Sequence, residues 1–134
     1  MDAETLLAAQ RFDGAAYLAG YVVECTLKAL ICLEWGAQLQ NALKKLRKKL
    51  KRHDLEGLSR EAARLAVLPG ARSARYVPKS SAFQGILDRK GGWQSELRYR
   101  AEGTVVEAKA QNWLAEARVV YQTTLIPMRL DGIL

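Results

Sequence analysis

The chain has few of the side chains from which most metal and catalytic centres are built. It contains one histidine, His53, and two cysteines, Cys25 and Cys32, in 134 residues. A structural zinc site takes four nitrogen or sulfur ligands, which three residues cannot supply. Cys25 and Cys32 lie seven residues apart in one apolar stretch; on a helix that is about 10 Å of rise. A disulfide bridges Cα atoms no more than ~7 Å apart, so the two cannot pair with each other. They are expected as small buried hydrophobes in a reducing, cytoplasmic setting. There is no glycine-rich phosphate loop, serine or cysteine triad, or metal constellation, so neither a cofactor nor a metal is expected. The opening residues lack the basic start and apolar core of a signal peptide. No stretch alternates apolar and polar residues as a strand does, and there is no internal repeat.

What is present reads as helix. Residues 13–34, DGAAYLAGYVVECTLKALICLE, are almost wholly apolar. Ala15, Leu18, Val22, Cys25, Ala29 and Cys32 recur at three- and four-residue steps, the period of one helix face. Tyr17, Tyr21, Leu27, Leu30 and Ile31 make much of the remaining surface apolar, as in a helix buried on several sides. Asp13 is placed to cap its start and Gly36 to end it. Ala16 and Gly20 form a small step that would admit another backbone. Glu24 and Lys28 fall near the middle, which argues against a membrane span.

The flanking segments follow the same period. Residues 2–10 form a short helix with Leu6 and Leu7 inward, and residues 11–13 a turn. Residues 54–68 form a helix with Leu55, Leu58, Ala62, Leu65 and Leu68 inward, stopped by Pro69-Gly70. Residues 71–92 are irregular, with one short helix at 81–87. Thr104 and Glu107 are spaced as a capping box opening the last helix. Its buried stripe is Val106, Ala110, Trp113, Ala117, Val120, Tyr121 and Leu125, and Pro127 is expected to end it. Trp93 and Trp113 are expected as core or dimer contacts. The expected fold is all-α, an up-and-down bundle of four to five helices in one domain spanning residues 1–134.

Charge is unevenly placed. Residues 37–53, AQLQNALKKLRKKLKRH, carry Leu39, Leu43, Leu46 and Leu50 on one helical face. Lys44, Lys45, Arg47, Lys48, Lys49, Lys51 and Arg52 occupy the rest, with no acidic residue among them. The chain has 21 basic and 14 acidic residues; without these seven cations it has 14 of each. The whole formal charge of +7 therefore sits in one segment, where it creates a local potential that attracts polyanions. It reads either as a solvated face or as a surface for nucleic acid or an acidic partner. No aromatic residue interleaves the cations, so base stacking is not indicated.

Four stretches together resemble the HEPN family (higher eukaryotes and prokaryotes nucleotide-binding). They are AAYLAGYVVECTLKALI at 15–31, HDLEGL at 53–58, WQSELRYR at 93–100 and TVVEAKAQNWLAEAR at 104–118. They occur in the family's order and cover most of the chain. The resemblance implies a helical bundle that is usually a homodimer. It also implies RNA- or nucleotide-centred work, either beside a nucleotidyltransferase partner or as RNA cleavage in toxin–antitoxin and other defence systems.

Catalytic members carry an arginine followed four to six residues later by histidine, late in the bundle. Here Arg98 and Arg100 have no histidine after them. Arg47 and His53 meet the spacing, but inside the lysine-rich run and away from the family's position. They are the only catalytic candidates. Glu24, Lys28, Arg98, Tyr99 and Arg100 are candidates for a polar cluster, either structural or binding phosphate or a nucleotide. Three functions follow as expectations. The first is a non-catalytic module binding RNA or a nucleotide. The second is a metal-independent ribonuclease toxin with a divergent site. The third is a module docking an acidic protein; none of the three needs a membrane.

Overall fold

The structure is a computed structural model that describes residues 2–8, 11–35, 44, 55–87, 93 and 105–133. It is an all-α bundle, with no strand among the described residues. Helix α1 (Asp2–Ala8) leads into the long α2 (Phe12–Trp35). Helix α3 (Leu55–Ala66) is followed by two 3-10 turns, Ser73–Arg75 and Ser80–Phe83, and the short α4 (Gln84–Leu87). Helix α5 (Glu107–Val120) runs through a widened π turn, Tyr121–Leu125, into α6 (Ile126–Leu130). Central helix α2 packs against α1, α3, α5, the π turn and the first 3-10 turn.

The face that α2 buries differs from the one its apolar spacing predicts. Ala16, Ala19, Gly20, Val23, Glu24, Leu27, Leu30 and Ile31 are buried with Ala15. Leu18, Val22, Ala29 and Cys32 are only half-buried and Cys25 is exposed, so Cys25 is not a core residue. Because α2 is apolar nearly all round, periodicity does not choose among its faces. Small side chains do: Ala16, Ala19 and Gly20 leave room for bulky neighbours. What enters beside Gly20 is the Trp93 indole rather than another backbone, and a Cβ added there would overlap Trp93 Cδ1. Trp93 donates its Nε1–H to the Tyr17 carbonyl at 3.0 Å and tilts against the Tyr17 ring at 5.9 Å. Leu55, Leu58, Ala62 and Leu65 of α3, Phe83, Ile86, and Ala110, Trp113, Ala117 and Val120 of α5 complete the core. Leu68 lies in the turn beyond α3 and is 45% exposed, not inward.

Helix ends also depart from expectation. Helix α2 begins at Phe12, so Asp13 lies within its first turn. The Asp13 carboxylate instead accepts the Val105 N–H at 2.7 Å. Helix α5 begins at Glu107 with Val106 as an extended N-cap and no side-chain cap. Val106 is 64% exposed and outside the buried stripe. Pro127 does not end the helix. The π turn, with the Ile126 N–H bonded to the Tyr121 carbonyl, re-registers the backbone. Pro127 then falls in the first turn of α6, just after the widened turn. Gly132, at φ +76°, closes α6. The Ile133 N–H reaches the Met128 carbonyl and the Gly132 N–H the Arg129 carbonyl, a Schellman closure. Gly36, the helix at 37–53, Asp54 and Thr104 lie outside the described residues, Lys44 excepted.

Candidate functional site

Helical spacing brings Glu24 and Lys28 together: Lys28 Nζ lies 3.4 Å from Glu24 Oε1. The carboxylate is 1% exposed and the ammonium group 44% exposed. A charge taken out of water needs compensation, so this pair does more than an exposed i,i+4 pair. Arg98, Tyr99 and Arg100 lie outside the described residues, as do the catalytic candidates Arg47 and His53. Of the basic run, Lys44 is described: it is helical and exposed. Lys45, Lys48, Lys49, Lys51 and Arg52 lie outside.

The remaining charges follow one pattern that sequence reading did not find. Carboxylates are turned toward the protein. Asp13 holds the Val105 N–H, Glu34 Oε1 accepts the Ser73 N–H, and Glu116 Oε1 accepts the Gly85 N–H at 2.7 Å. Each ties a non-helical or short helical segment to a long helix. Burial pushes the Glu116 carboxyl above its ordinary range, against the opposing pull of the Gly85 and Ile86 N–H groups. Asp131 Oδ2 accepts the Tyr76 hydroxyl at 2.5 Å, raising that hydroxyl's pKa, and pairs with Arg75 at 3.2 Å. Glu4 pairs with Arg118 at 2.6 Å, and that hydrogen bond lowers its pKa. Thr124, fully buried in the π turn, donates to the Tyr76 carbonyl at 2.5 Å.

Several cations instead face solvent. Arg60, Arg64, Arg72, Arg75 and Lys79 are all exposed. Arg64 pairs with Glu61 and Arg75 with Asp131. Arg60, Arg72 and Lys79 have no ion pair with another described residue. Arg72, Arg75 and Lys79 are visible in the sequence as cations of an irregular segment. Their exposure, and that of Arg60, needed the fold.

Among the described residues, the perturbed thiol and phenol groups are shifted away from their reactive forms. Burial pushes the Cys32 thiol up, away from the thiolate form that reacts. Tyr21, whose ring stacks on Tyr17 at 6.4 Å, has its hydroxyl raised by its hydrogen bond with Cys25. Among the described residues no three His, Cys, Asp or Glu side chains group to hold a metal ion. Trp93 and Trp113 are 5% and 2% exposed, so neither offers a ring face on which a base could stack. Helix α2 has the length and composition to cross a membrane, yet half of its most apolar window is buried inside the bundle. What these described residues offer chemically is exposed cations, Arg60, Arg72 and Lys79, that have no ion pair with another described residue. Comparison with family models, curated proteins and solved structures finds no match for this chain.

Proposed function

We propose that the protein is a non-catalytic, HEPN-like helical module that binds RNA or a nucleotide. It would act as a homodimer beside a separate nucleotidyltransferase, in the toxin–antitoxin or defence setting that the resemblance implies. The observation that carries this reading is the placement of the whole +7 charge in residues 44–52. Lys44 stands exposed on a helix. The all-α bundle is the architecture such a module requires. Phosphate contacts of this kind are sequence-independent and steeply salt-dependent, because each cation that neutralises a phosphate releases a counterion.

The test is RNA binding across a salt series, with the RNA followed on a gel over time. Replacing Lys44, Lys45, Lys48 and Lys49 with alanine is expected to weaken binding. It should also flatten the salt slope by about 4, roughly one per lost phosphate contact. Binding unchanged in both respects overturns the reading. Cleavage of the RNA that disappears in His53→Ala would replace it with the ribonuclease.

A further inference from the structure

Tyr17, Tyr21 and Cys25 follow one another along α2 at four-residue steps, about 6 Å of rise apiece. Their side chains therefore lie one above another on a single ridge of the helix. The Tyr17 and Tyr21 rings stack with centroids 6.4 Å apart, and the Tyr21 hydroxyl is hydrogen-bonded to Cys25. At the other end the Trp93 indole, seated against Gly20, lies 5.9 Å from the Tyr17 ring. Both separations fall within the ~4.5–7 Å of direct aromatic contact. Exposure rises along the row: Trp93 is 5% exposed, Tyr17 half-buried, Tyr21 46% exposed and Cys25 exposed. The four side chains form an unbroken file of oxidisable groups from core to solvent.

Apolar packing would be served as well by phenylalanine and alanine at these places. What tyrosine and cysteine add is that each can give up an electron. A tryptophan that loses one electron to a one-electron oxidant becomes a radical cation, which weakens as an oxidant once its indole proton leaves. Here the Trp93 Nε1–H is held by the Tyr17 carbonyl at 3.0 Å, a group too weakly basic to take the proton. We infer that this file is an electron relay that carries an oxidising equivalent from Trp93 out to the Cys25 thiol. An electron passes from Tyr21 through the stacked Tyr17 ring to Trp93 and restores the indole. Tyr21, open to solvent, releases its phenol proton to water. The Tyr21 phenoxyl then takes a hydrogen atom from the Cys25 S–H along their hydrogen bond, which restores the phenol and leaves a thiyl radical. The net change is one electron from Cys25 to Trp93 and one proton to water. A small external thiol, by giving its own hydrogen atom to the thiyl radical, returns Cys25 to S–H and carries the radical away. None of this rests on the RNA-binding reading.

The test uses the full chain, irradiated at wavelengths that tryptophan alone absorbs. Hexaamminecobalt(III) serves as an irreversible one-electron acceptor, and a nitrone spin trap marks the radicals for mapping by mass spectrometry. The parent is expected to carry the trap on Cys25, and Cys25→Ser to carry it on Tyr21, where the relay then ends. Tyr21→Phe keeps the ring and removes the phenol. It should lose the Cys25 adduct and gain one on Tyr17, with its helical circular dichroism intact. Trp93→Phe should lose the Cys25 adduct as well; if that core variant unfolds, the exposed Tyr21→Phe still decides. No Cys25 adduct in the parent, or one that persists undiminished in Tyr21→Phe, overturns the relay. Loss of the adduct in Trp35→Phe but not in Trp93→Phe overturns Trp93 as its origin.

Discussion

Where α2 meets α5 and the segments around them, carboxylates point inward and hold backbone N–H groups: Asp13 on Val105, Glu116 on Gly85, Glu34 on Ser73. Along α3 and the turn behind it, Arg60, Arg72 and Lys79 stand in solvent with no ion pair to a described residue. Both regions are rich in charge, but only the first uses it to build the fold. A carboxylate on a buried N–H satisfies a donor that would otherwise cost ~1–3 kcal/mol. A solvated cation contributes little to stability and stays available to an external anion. Substitutions in the first region should therefore change stability without changing the salt slope of the proposed RNA binding. Those in the second should do the reverse.

The sharpest break in this division should come at Gly20. Its Cβ-less face receives the Trp93 indole, and that ring is tethered to the Tyr17 carbonyl and cannot slide away. Gly20→Ala is expected to destabilise by about 3 kcal/mol, the upper part of the range for overpacking, read as a lowered urea midpoint. A midpoint within error of the parent would mean that the indole does not occupy this place. Asp13→Ala should follow, costing ~1–2 kcal/mol because the Val105 N–H loses its acceptor. Urea unfolding of this variant measures it, and full stability would show that the contact is dispensable.

The smallest effect is expected from Glu116→Gln, read through pH. In the folded state burial raises the Glu116 carboxyl above its ordinary 4.5, so the folded protein holds that proton more tightly than the unfolded chain does. The contribution is present below the ordinary value and lost as pH rises through the raised one. Glutamine keeps a carbonyl for the Gly85 N–H and removes the titration. The parent should therefore lose stability relative to Glu116→Gln between pH 4 and pH 7. A constant difference across that interval would show that Glu116 is solvated.

Much of this was legible in the residues. The three- and four-residue steps around Leu55, Leu58, Ala62 and Leu65, and around Ala110, Trp113 and Ala117, report helices and their buried faces. They do so because polar residues mark the other side. In α2 that contrast is missing, so the predicted stripe through Val22, Cys25 and Cys32 fell outside the buried face. At the start of α5 a contact from the far end of the chain takes part, since Asp13 accepts the Val105 N–H, and no local signature reports it. Of the candidate site, the Glu24–Lys28 pair follows from helical spacing alone. The cationic surface is half legible, since sequence shows the charges but not which of them keep an ion-pair partner.

The sequence by itself determined the all-α class, the positions of most helices and the confinement of the excess positive charge to residues 44–52. Helical period and charge are properties of neighbouring residues. Tertiary structure alone decided which face of α2 is buried and which carboxylate holds which backbone donor. The three carboxylate-to-backbone contacts join residues 92, 39 and 31 positions apart. Such pairings are chosen by how the helices pack, through the small residues that permit one approach and the bulky ones that refuse another.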